Sequence, residues 1–256
     1  MKLVSLDLET TGVDTLQDQI IEIGLVCFDT STEFKPTYHR IYYWQDRYEG
    51  SAFALQMNAE KLFVADMLHK RRKEWSKNFE KCKNSIVQLM YCKNHEDTKM
   101  LIDNHFVESP KELSELLGRL LMDSRIEPKK STVNIVGKNA AGFDMQFIKR
   151  FIEGYQFSWK RRVLDVGNLY TRRDDDCIPD LSAVLERSGI LNELPEKYVT
   201  HDATDDAFDV AVATYTYYNP EQVVHVQKWY SEYEEWCNAT KKEISMIQEY
   251  EFKIPE

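Results

Sequence analysis

The stretch Lys2-Leu-Val-Ser-Leu-Asp-Leu-Glu-Thr-Thr-Gly12 decides the fold. Successive side chains of a strand point to opposite faces, so Asp7 and Glu9 share one face and the apolar residues at 4, 6 and 8 share the other. The Cα atoms of Asp7 and Glu9 would lie roughly 7 Å apart, at a rise of about 3.4 Å per residue. Two carboxylates this close are costly unless a cation lies between them. Alternatively, Glu9 is the first solvated loop residue, and this stretch alone does not decide between the two.

Composition limits the class of protein. The chain has 256 residues, enough for one large domain, and a formal net charge of −10. That charge argues against unspecific coating of nucleic acid, but it permits a local basic groove. We find neither a long apolar run nor a cleavable leader, and the five cysteines contain no Cys-x-x-Cys pair. We therefore expect a cytoplasmic protein with free thiols and no membrane segment.

The periodicity of the chain predicts mixed α/β structure. Residues 20–28 and 38–44 are further β-rich runs with short connections, which indicates an antiparallel meander with the first strand. Residues 132–136 and 162–166 are predicted to be a fourth and a fifth strand. Ser109-Pro110-Lys111-Glu112 is typical of a helix N-terminus.

A helical region is predicted after the third strand. From Asn58 the apolar residues take helical spacing, in a stripe made of Trp75, Phe79, Cys82, Ile86 and Leu89. A basic flank accompanies it: Lys70, Arg71, Arg72, Lys73, Lys77, Lys81 and Lys83. Such a flank is either a solvated helix face or a surface that contacts phosphates.

Two further carboxylates stand out by position. Asp144 precedes a helix and shares its apolar stripe with Phe147, Ile148 and Phe151. Asp206 lies on an inward, alanine-rich stripe of a later helix. An unpaired buried carboxylate there would be expensive, which favours a functional role.

The surroundings of Asp206 allow more than one interpretation. Asp202, Asp205 and Asp209 are predicted to form the polar outside of its helix. His201 lies in the loop before the helix, where it is either functional or an ordinary surface or capping residue. Asp165 is predicted to be a strand-end or capping residue rather than a ligand.

A last helix is predicted from Asn219-Pro220 onward. Apolar and aromatic residues form a narrow seam with a 3.5-residue repeat along it. The seam is Val223, Val226, Tyr230, Tyr233, Cys237, Thr240, Ile244 and Ile247. Either the inserted helix with Trp75 and Phe79 or a second copy of the chain covers it, and we favour a monomer over a homodimer.

Together, Asp7-x-Glu9-Thr-Thr-Gly, Asp144 at a helix start and His201 five residues before Asp206 resemble the DEDDh branch of the 3′→5′ exonuclease superfamily. The resemblance covers about half of the chain. It implies a ribonuclease H-like α/β fold with a mixed five-stranded sheet flanked by helices, a helical insertion after the third strand and a C-terminal helix. Residues 1–256 would form a single exonuclease domain, with the insertion at approximately 45–130 and the C-terminal helical extension at approximately 219–256.

The resemblance also implies roles for five residues. Asp7 would bridge two divalent ions, Mg²⁺ or Mn²⁺, Glu9 and Asp206 would hold one of them, and Asp144 would help to hold the other. His201 would be the general base. Two such ions supply both a hydroxide and a stabilised leaving oxygen for phosphodiester hydrolysis.

The resemblance places the substrate beside these groups. Thr10 and Thr11 would cradle the terminal nucleotide, and Asn139 and Phe143 would contact substrate. The second motif departs from the usual His-Asn-x-x-Phe-Asp of proofreading members, because a lysine replaces the histidine and one glycine is added before Phe143. Asp144 keeps its place before the helix.

The expected function is release of nucleoside monophosphates from single-stranded 3′ ends, with DNA favoured over RNA as substrate. One alternative is RNA trimming by an exoribonuclease or oligoribonuclease-like enzyme. Another is a nucleic-acid-binding scaffold on the same fold, which would lack some of the five polar positions. Sequence leaves open whether a polymerase or another replication partner delivers the substrate.

Overall fold

The computed structural model describes residues 1–82, 99–126, 133–153, 159–160, 162–194 and 202–249, without the side chains of 78–82. Its strands are β1 (Lys2–Thr10), β2 (Ile20–Asp29), β3 (Thr37–Tyr43), β4 (Phe106–Val107), β5 (Ile135–Gly137) and β6 (Leu164–Asp165). They form one sheet in the order β4-β3-β2-β1-β5-β6. β2 is antiparallel to β1 and β3, and the other neighbouring pairs are parallel.

The predicted mixed sheet and its antiparallel meander are confirmed. The predicted number of five strands is wrong, because the described residues contain six. The additional strand, β4, has only two residues, which pair with Tyr42 and Tyr43 of β3. Two residues are too few to show an alternating pattern in sequence.

Helices lie on both faces of the sheet. They are α1 (Ala52–Met57), α2 (Ala59–Cys82), α3 (99–105), α4 (Pro110–Asp123), α5 (Asp144–Phe151), α6 (Val166–Leu169), α7 (Leu181–Arg187), α8 (Ile190–Glu193), α9 (Ala203–Tyr218) and α10 (Val226–Glu249). α4 begins as predicted, since the Ser109 side chain accepts a hydrogen bond from Glu112 N at 3.2 Å and a proline follows the serine. No described helix has both the length and the apolar character needed to span a bilayer.

The alternation in β1 separates two layers of core. Val4, Leu6 and Leu8 pack with α4 and α5, whereas Leu3 packs with α7, α9 and α10 on the other face. β1 is therefore covered on both sides, with Asp7 and Glu9 on the α9 side.

α10 lies against the protein's own core. The Tyr233 ring stacks on Phe208 of α9 at a centroid distance of 4.2 Å and meets Tyr38 of β3 edge-on. Ile247 joins Ala65 and Leu68 of α2 in a smaller cluster. The chain thus covers part of its own seam, and α2 contributes through Ala65 and Leu68. The predicted contact of Phe79 lies outside the described side chains. The start of this segment, Pro220–His225, is a 3₁₀-helix rather than the predicted α-helix.

Candidate active site

Carboxylates from three separate elements meet at the end of β1. Asp7 is half-buried, and burial raises its pKa well above the ordinary value. The negative charges of Asp144, Asp206 and Glu9 raise this pKa further, in that order. The other three side chains are therefore close enough to Asp7 to disfavour its ionisation. The structure brings together the four carboxylates that the sequence singled out.

Asp144 begins α5 and is almost completely buried, at 2% exposure. Burial raises the pKa of Asp144 to about 7, its own N–H and that of Leu8 oppose the rise, and Glu9 adds to it. In β1, the Val4 N–H points toward the β5 side of the sheet, where it donates to Asn134 O. Leu8 follows four residues later in β1, so its N–H points to the same side of the strand. It lies beyond the end of β5, and its N–H is therefore available to the Asp144 carboxylate.

The loop before α5 turns at Asn139. This residue has a left-handed φ of 57°, and its carbonyl accepts hydrogen bonds from Gly142 N and Phe143 N. Its own N–H donates to Asp165 Oδ2 at 2.9 Å. Asp165 also caps α6, as predicted. Phe143 is half-buried against Phe147, so the loop holds α5 in place, and contact of Asn139 and Phe143 with substrate stays a prediction.

Asp206 reaches the site because α9 approaches β2 unusually closely. A Cβ added at Gly24 would lie 2.1 Å from the carbonyl oxygen of Ala203, so only glycine fits there. Gly24 pairs directly with Asp7 across β1 and β2. The first turn of α9 therefore lies beside Asp7, and Asp206 is half-buried there. The predicted base, His201, lies outside the described residues.

The hydroxyls of Thr10 and Thr11 hold the turn after β1. Thr10 Oγ1 donates to Gly12 O at 2.7 Å, and Thr11 Oγ1 donates to Glu49 O at 2.6 Å. Thr11 Oγ1 also accepts from Gln19 N at 2.9 Å. Both threonines are buried, and these hydrogen bonds give them a structural role in the turn. Their contact with a terminal nucleotide stays a prediction.

Sequence reasoning missed a buried charged cluster next to these carboxylates. Glu22 is fully buried opposite Glu9, and its Oε1 lies 3.1 Å from Arg40 Nε. Arg40 Nη2 also donates to Asp202 Oδ1 at 2.6 Å. Burial raises the pKa of Glu22 to about 8, Asp202 adds to the rise, and Arg40 opposes it. One signal was present in the sequence: Glu22 interrupts an otherwise apolar strand.

The prediction that Asp202, Asp205 and Asp209 form the polar outside of α9 is wrong, since Asp202 is itself half-buried and accepts a hydrogen bond from Arg40. Asp209 is fully buried and Asp205 is half-buried, because α10 covers this side of the helix. Tyr230 Oη donates to Asp209 Oδ1 at 2.5 Å, and Tyr233 Oη donates to Asp205 Oδ1 at 2.6 Å. The buried carboxylates thus have hydroxyl partners from a helix distant in sequence.

The chemistry of the acidic cluster fits hard divalent cations. Asp7, Glu9, Asp144 and Asp206 offer only oxygen donors, and a cation would relieve the repulsion that contributes to the raised pKa values of Asp7 and Asp144. Within the part of the chain described, no three His, Cys, Asp or Glu side chains already form a metal-binding group. Lys61 Nζ lies 3.8 Å from Glu9 Oε1. The side chains would therefore have to close around a bound cation.

Three members of the basic flank of α2, Lys70, Arg71 and Arg72, have acidic partners. Arg72 donates to both carboxylate oxygens of Glu112, at 3.0 and 2.8 Å. Lys70 pairs with Asp66, and Arg71 pairs with Glu74. These contacts favour a structural role for Arg72, whereas Lys81 and Lys83 lie outside the described side chains.

Comparison with known proteins gives matches of structure alone. No protein-family model and no curated protein sequence matches the chain. Its structure is similar to those of solved 3′-exonucleases. E. coli Exonuclease I in complex with a dT13 oligonucleotide matches at 13% identity and a TM-score of 0.49, over 88% of this chain and 43% of that one.

Two other solved structures match over most of their own length. A full-length 3′-exonuclease shares 15% identity at a TM-score of 0.46, over 89% of this chain and 82% of that one. The nuclease domain of 3′hExo, a DEDDh family member bound to rAMP, shares 12% identity at a TM-score of 0.44, over 89% of this chain and 92% of that one. This chain spans less than half of Exonuclease I.

Proposed function

We propose that this protein is a divalent-metal-dependent 3′→5′ exonuclease acting on single-stranded nucleic-acid ends, with DNA favoured over RNA. The observation that carries the proposal is the convergence of Glu9, Asp144 and Asp206 on Asp7 at the end of β1, where α9 begins directly beside Gly24, the partner of Asp7, and where the three acids raise the pKa of Asp7. Their order along the chain, with His201 five residues before Asp206, is the order that the sequence motif requires.

The chain's residues would divide the work as follows. Asp7, Glu9, Asp144 and Asp206 would hold two Mg²⁺ or Mn²⁺ ions, which when bound supply an activated water and stabilise the leaving oxygen. His201 would accept the proton of the attacking water. The apolar packing of β1 and α5 holds the backbone that carries Asp7 and Asp144, and the side chains of the site would close around the ions.

The test is digestion of DNA and RNA oligomers labelled at the 3′ or the 5′ end, with Mg²⁺, Mn²⁺ or EDTA. We expect loss of 3′-terminal mononucleotides with either metal and none in EDTA. Asp7→Ala and Asp206→Ala should each lower the rate by about 100-fold or more. Asp176→Ala, at an exposed acid, is the control and should keep wild-type activity. Hydrolysis that persists in EDTA or in Asp7→Ala would refute the proposal.

The role of His201 has its own test. His201→Asn should lower the rate and leave Mn²⁺ affinity unchanged, because a base that is not a ligand contributes to proton transfer alone. Titration calorimetry with Mn²⁺ measures the affinity. A weaker affinity in this variant would make His201 a ligand instead.

A further inference from the structure

Three residues form a row across the sheet under the start of α9. Asp7 of β1 pairs with Gly24 of β2, and Gly24 pairs with Arg40 of β3. Neighbouring strands lie about 4.8 Å apart, so Asp7 and Arg40 flank the glycine on either side. The carbonyl of Ala203 occupies the space above Gly24. The first turn of α9 therefore lies between an acid of the site and a buried arginine.

The Arg40 side chain is tied to this turn at two points. Its Nη2 donates to Asp202 Oδ1 at 2.6 Å, and its Nε donates to Thr204 Oγ1 at 3.1 Å. Thr204 is fully buried and Arg40 is only 6% exposed. A planar guanidinium that uses two of its nitrogens in this way fixes direction as well as distance.

Asp202 joins the arginine to the helix itself. The same Oδ1 that Arg40 contacts accepts hydrogen bonds from Thr204 N at 3.1 Å and Asp205 N at 3.2 Å. Asp202 is thus the N-cap of α9 and the partner of Arg40 through one oxygen. Any shift of Arg40 is passed directly to the turn that carries Asp206.

Glu22 completes the cluster on the sheet side. Its Oε1 lies 3.1 Å from Arg40 Nε, and the residue is opposite Glu9 in the β1–β2 register. The arginine thus lies between an acid of the sheet and an acid of the helix. Its charge lowers the pKa of Glu22, against the effects of burial and of Asp202, which raise it.

We propose that Arg40 is a positioning residue: it clamps the first turn of α9 to β2 and β3, and so holds Asp206 against Asp7. This inference rests on the proposed function, since Asp206 matters as a ligand only if the site binds divalent cations. Arg40 acts through Asp202 and Thr204, and it needs no contact with metal or substrate.

The test needs variants that still fold. Arg40→Met alone leaves Glu22 buried without its cation, which is expected to destabilise the protein strongly. The double variant Glu22→Gln/Arg40→Met removes both charges. Asp202→Asn is the milder probe, because asparagine caps helices as well as aspartate does but lacks the charge that attracts Arg40.

Matched controls come from another helix and from the arginine itself. Asp180 caps α7 by accepting from Ala183 N at 2.8 Å, so Asp180→Asn changes a cap of the same kind away from the site. Arg40→Lys keeps the charge and loses the two-nitrogen geometry. Each variant is compared with wild type by thermal unfolding, Mn²⁺ titration calorimetry, and kcat and KM on a labelled oligonucleotide.

We expect the double variant and Asp202→Asn to fold and to bind Mn²⁺ more weakly by about 10- to 100-fold, as when groups that orient metal ligands are lost. We also expect a lower kcat at unchanged KM, with only partial rescue in Arg40→Lys. Asp180→Asn should keep wild-type Mn²⁺ affinity. Folded variants with wild-type Mn²⁺ affinity and kcat would overturn the role of Arg40. If wild type itself neither binds Mn²⁺ nor cleaves, the proposed function fails instead.

Discussion

Three carboxyls in or beside the site hold protons more tightly in the folded protein than in the unfolded chain. The pKa of Asp144 rises from 3.8 to about 7, that of Glu22 rises from 4.5 to about 8, and that of Asp7 rises well above 3.8. Protonation therefore stabilises the folded state. This contribution is complete below about pH 4 and is lost as the pH rises through 7 and 8.

We predict that the protein in EDTA unfolds at a lower temperature at pH 8 than at pH 5. Asp144→Asn should flatten this dependence and stabilise the EDTA-treated protein at pH 8 by about 1–3 kcal/mol, because a neutral amide avoids the cost of ionisation. Mg²⁺ should raise the wild-type unfolding temperature more at pH 8 than at pH 5. Scanning calorimetry measures all three. A wild-type stability that increases from pH 5 to pH 8 in EDTA would contradict the prediction.

Elements with strong local patterns could be predicted from sequence. β1 alternates, α5 carries an apolar stripe, and α4 has serine and proline at its start, so each is specified by residues close together in the chain. The site carboxylates were found in the same way, as acids at strand ends or on apolar stripes.

Features that depend on contacts distant in sequence could not be predicted. Asp209 looks solvated until α10 covers it, and Arg40 looks like an ordinary strand residue until α9 packs beside it. The two-residue β4 exists only because β3 offers it an edge. Local periodicity contains no information about which surface a later helix will cover.

The seating of α9 on β2 predicts a strong effect at Gly24. Gly24→Ala would place a Cβ 2.1 Å from the Ala203 backbone, which cannot move without shifting the helix. We expect a loss of about 1–3 kcal/mol in unfolding free energy, from overpacking, and, under the proposed function, a loss of nuclease activity as well. Gly142→Ala is the control for stability, since the nearest atom to its Cβ would be the side-chain oxygen of Asn139, at 2.8 Å, and the nearest backbone atom lies at 3.7 Å. Wild-type stability in Gly24→Ala would show that α9 is not seated this closely.

The contact between α9 and α10 predicts coupling between Tyr230 and Asp209. Tyr230→Phe removes the hydroxyl that donates to a buried carboxylate, so we expect a loss of about 1–3 kcal/mol in unfolding free energy. A double-mutant cycle with Asp209→Asn, followed by urea unfolding, measures the coupling. Tyr218→Phe, at a tyrosine that is 44% exposed, should be nearly neutral. Additive losses in the cycle would argue against the bond.

At the scale of the whole molecule, α10 is the element that joins two apolar clusters on one face of the sheet. Its first half packs on α9 and β3 through Trp229 and Tyr233, and its second half meets α2 through Ile247. Seam residues are therefore buried in contacts within the chain. Little apolar surface of the seam is available to a second copy.

We predict a monomer of about 30.2 kDa in sedimentation velocity at micromolar concentration. Sedimentation at several concentrations provides the internal control, because a monomer keeps its coefficient on dilution. A species of twice this mass that persists on dilution would contradict the prediction.

The close contact between Gly24 and the start of α9 also sets an order in time. A ribosome makes Asp7 and Glu9 long before Asp206, so a growing chain holds an incomplete acid cluster until α9 has emerged. Until then, the sheet face around Leu3 and Val26 is exposed to solvent, because α9 covers it in the folded protein. Under the proposed function, the packing of α9 on the sheet both buries this apolar surface and completes the active site. A chain released before α9 is made would expose apolar surface to chaperones and proteases. It would lack Asp206, and so would not cleave nucleic acids.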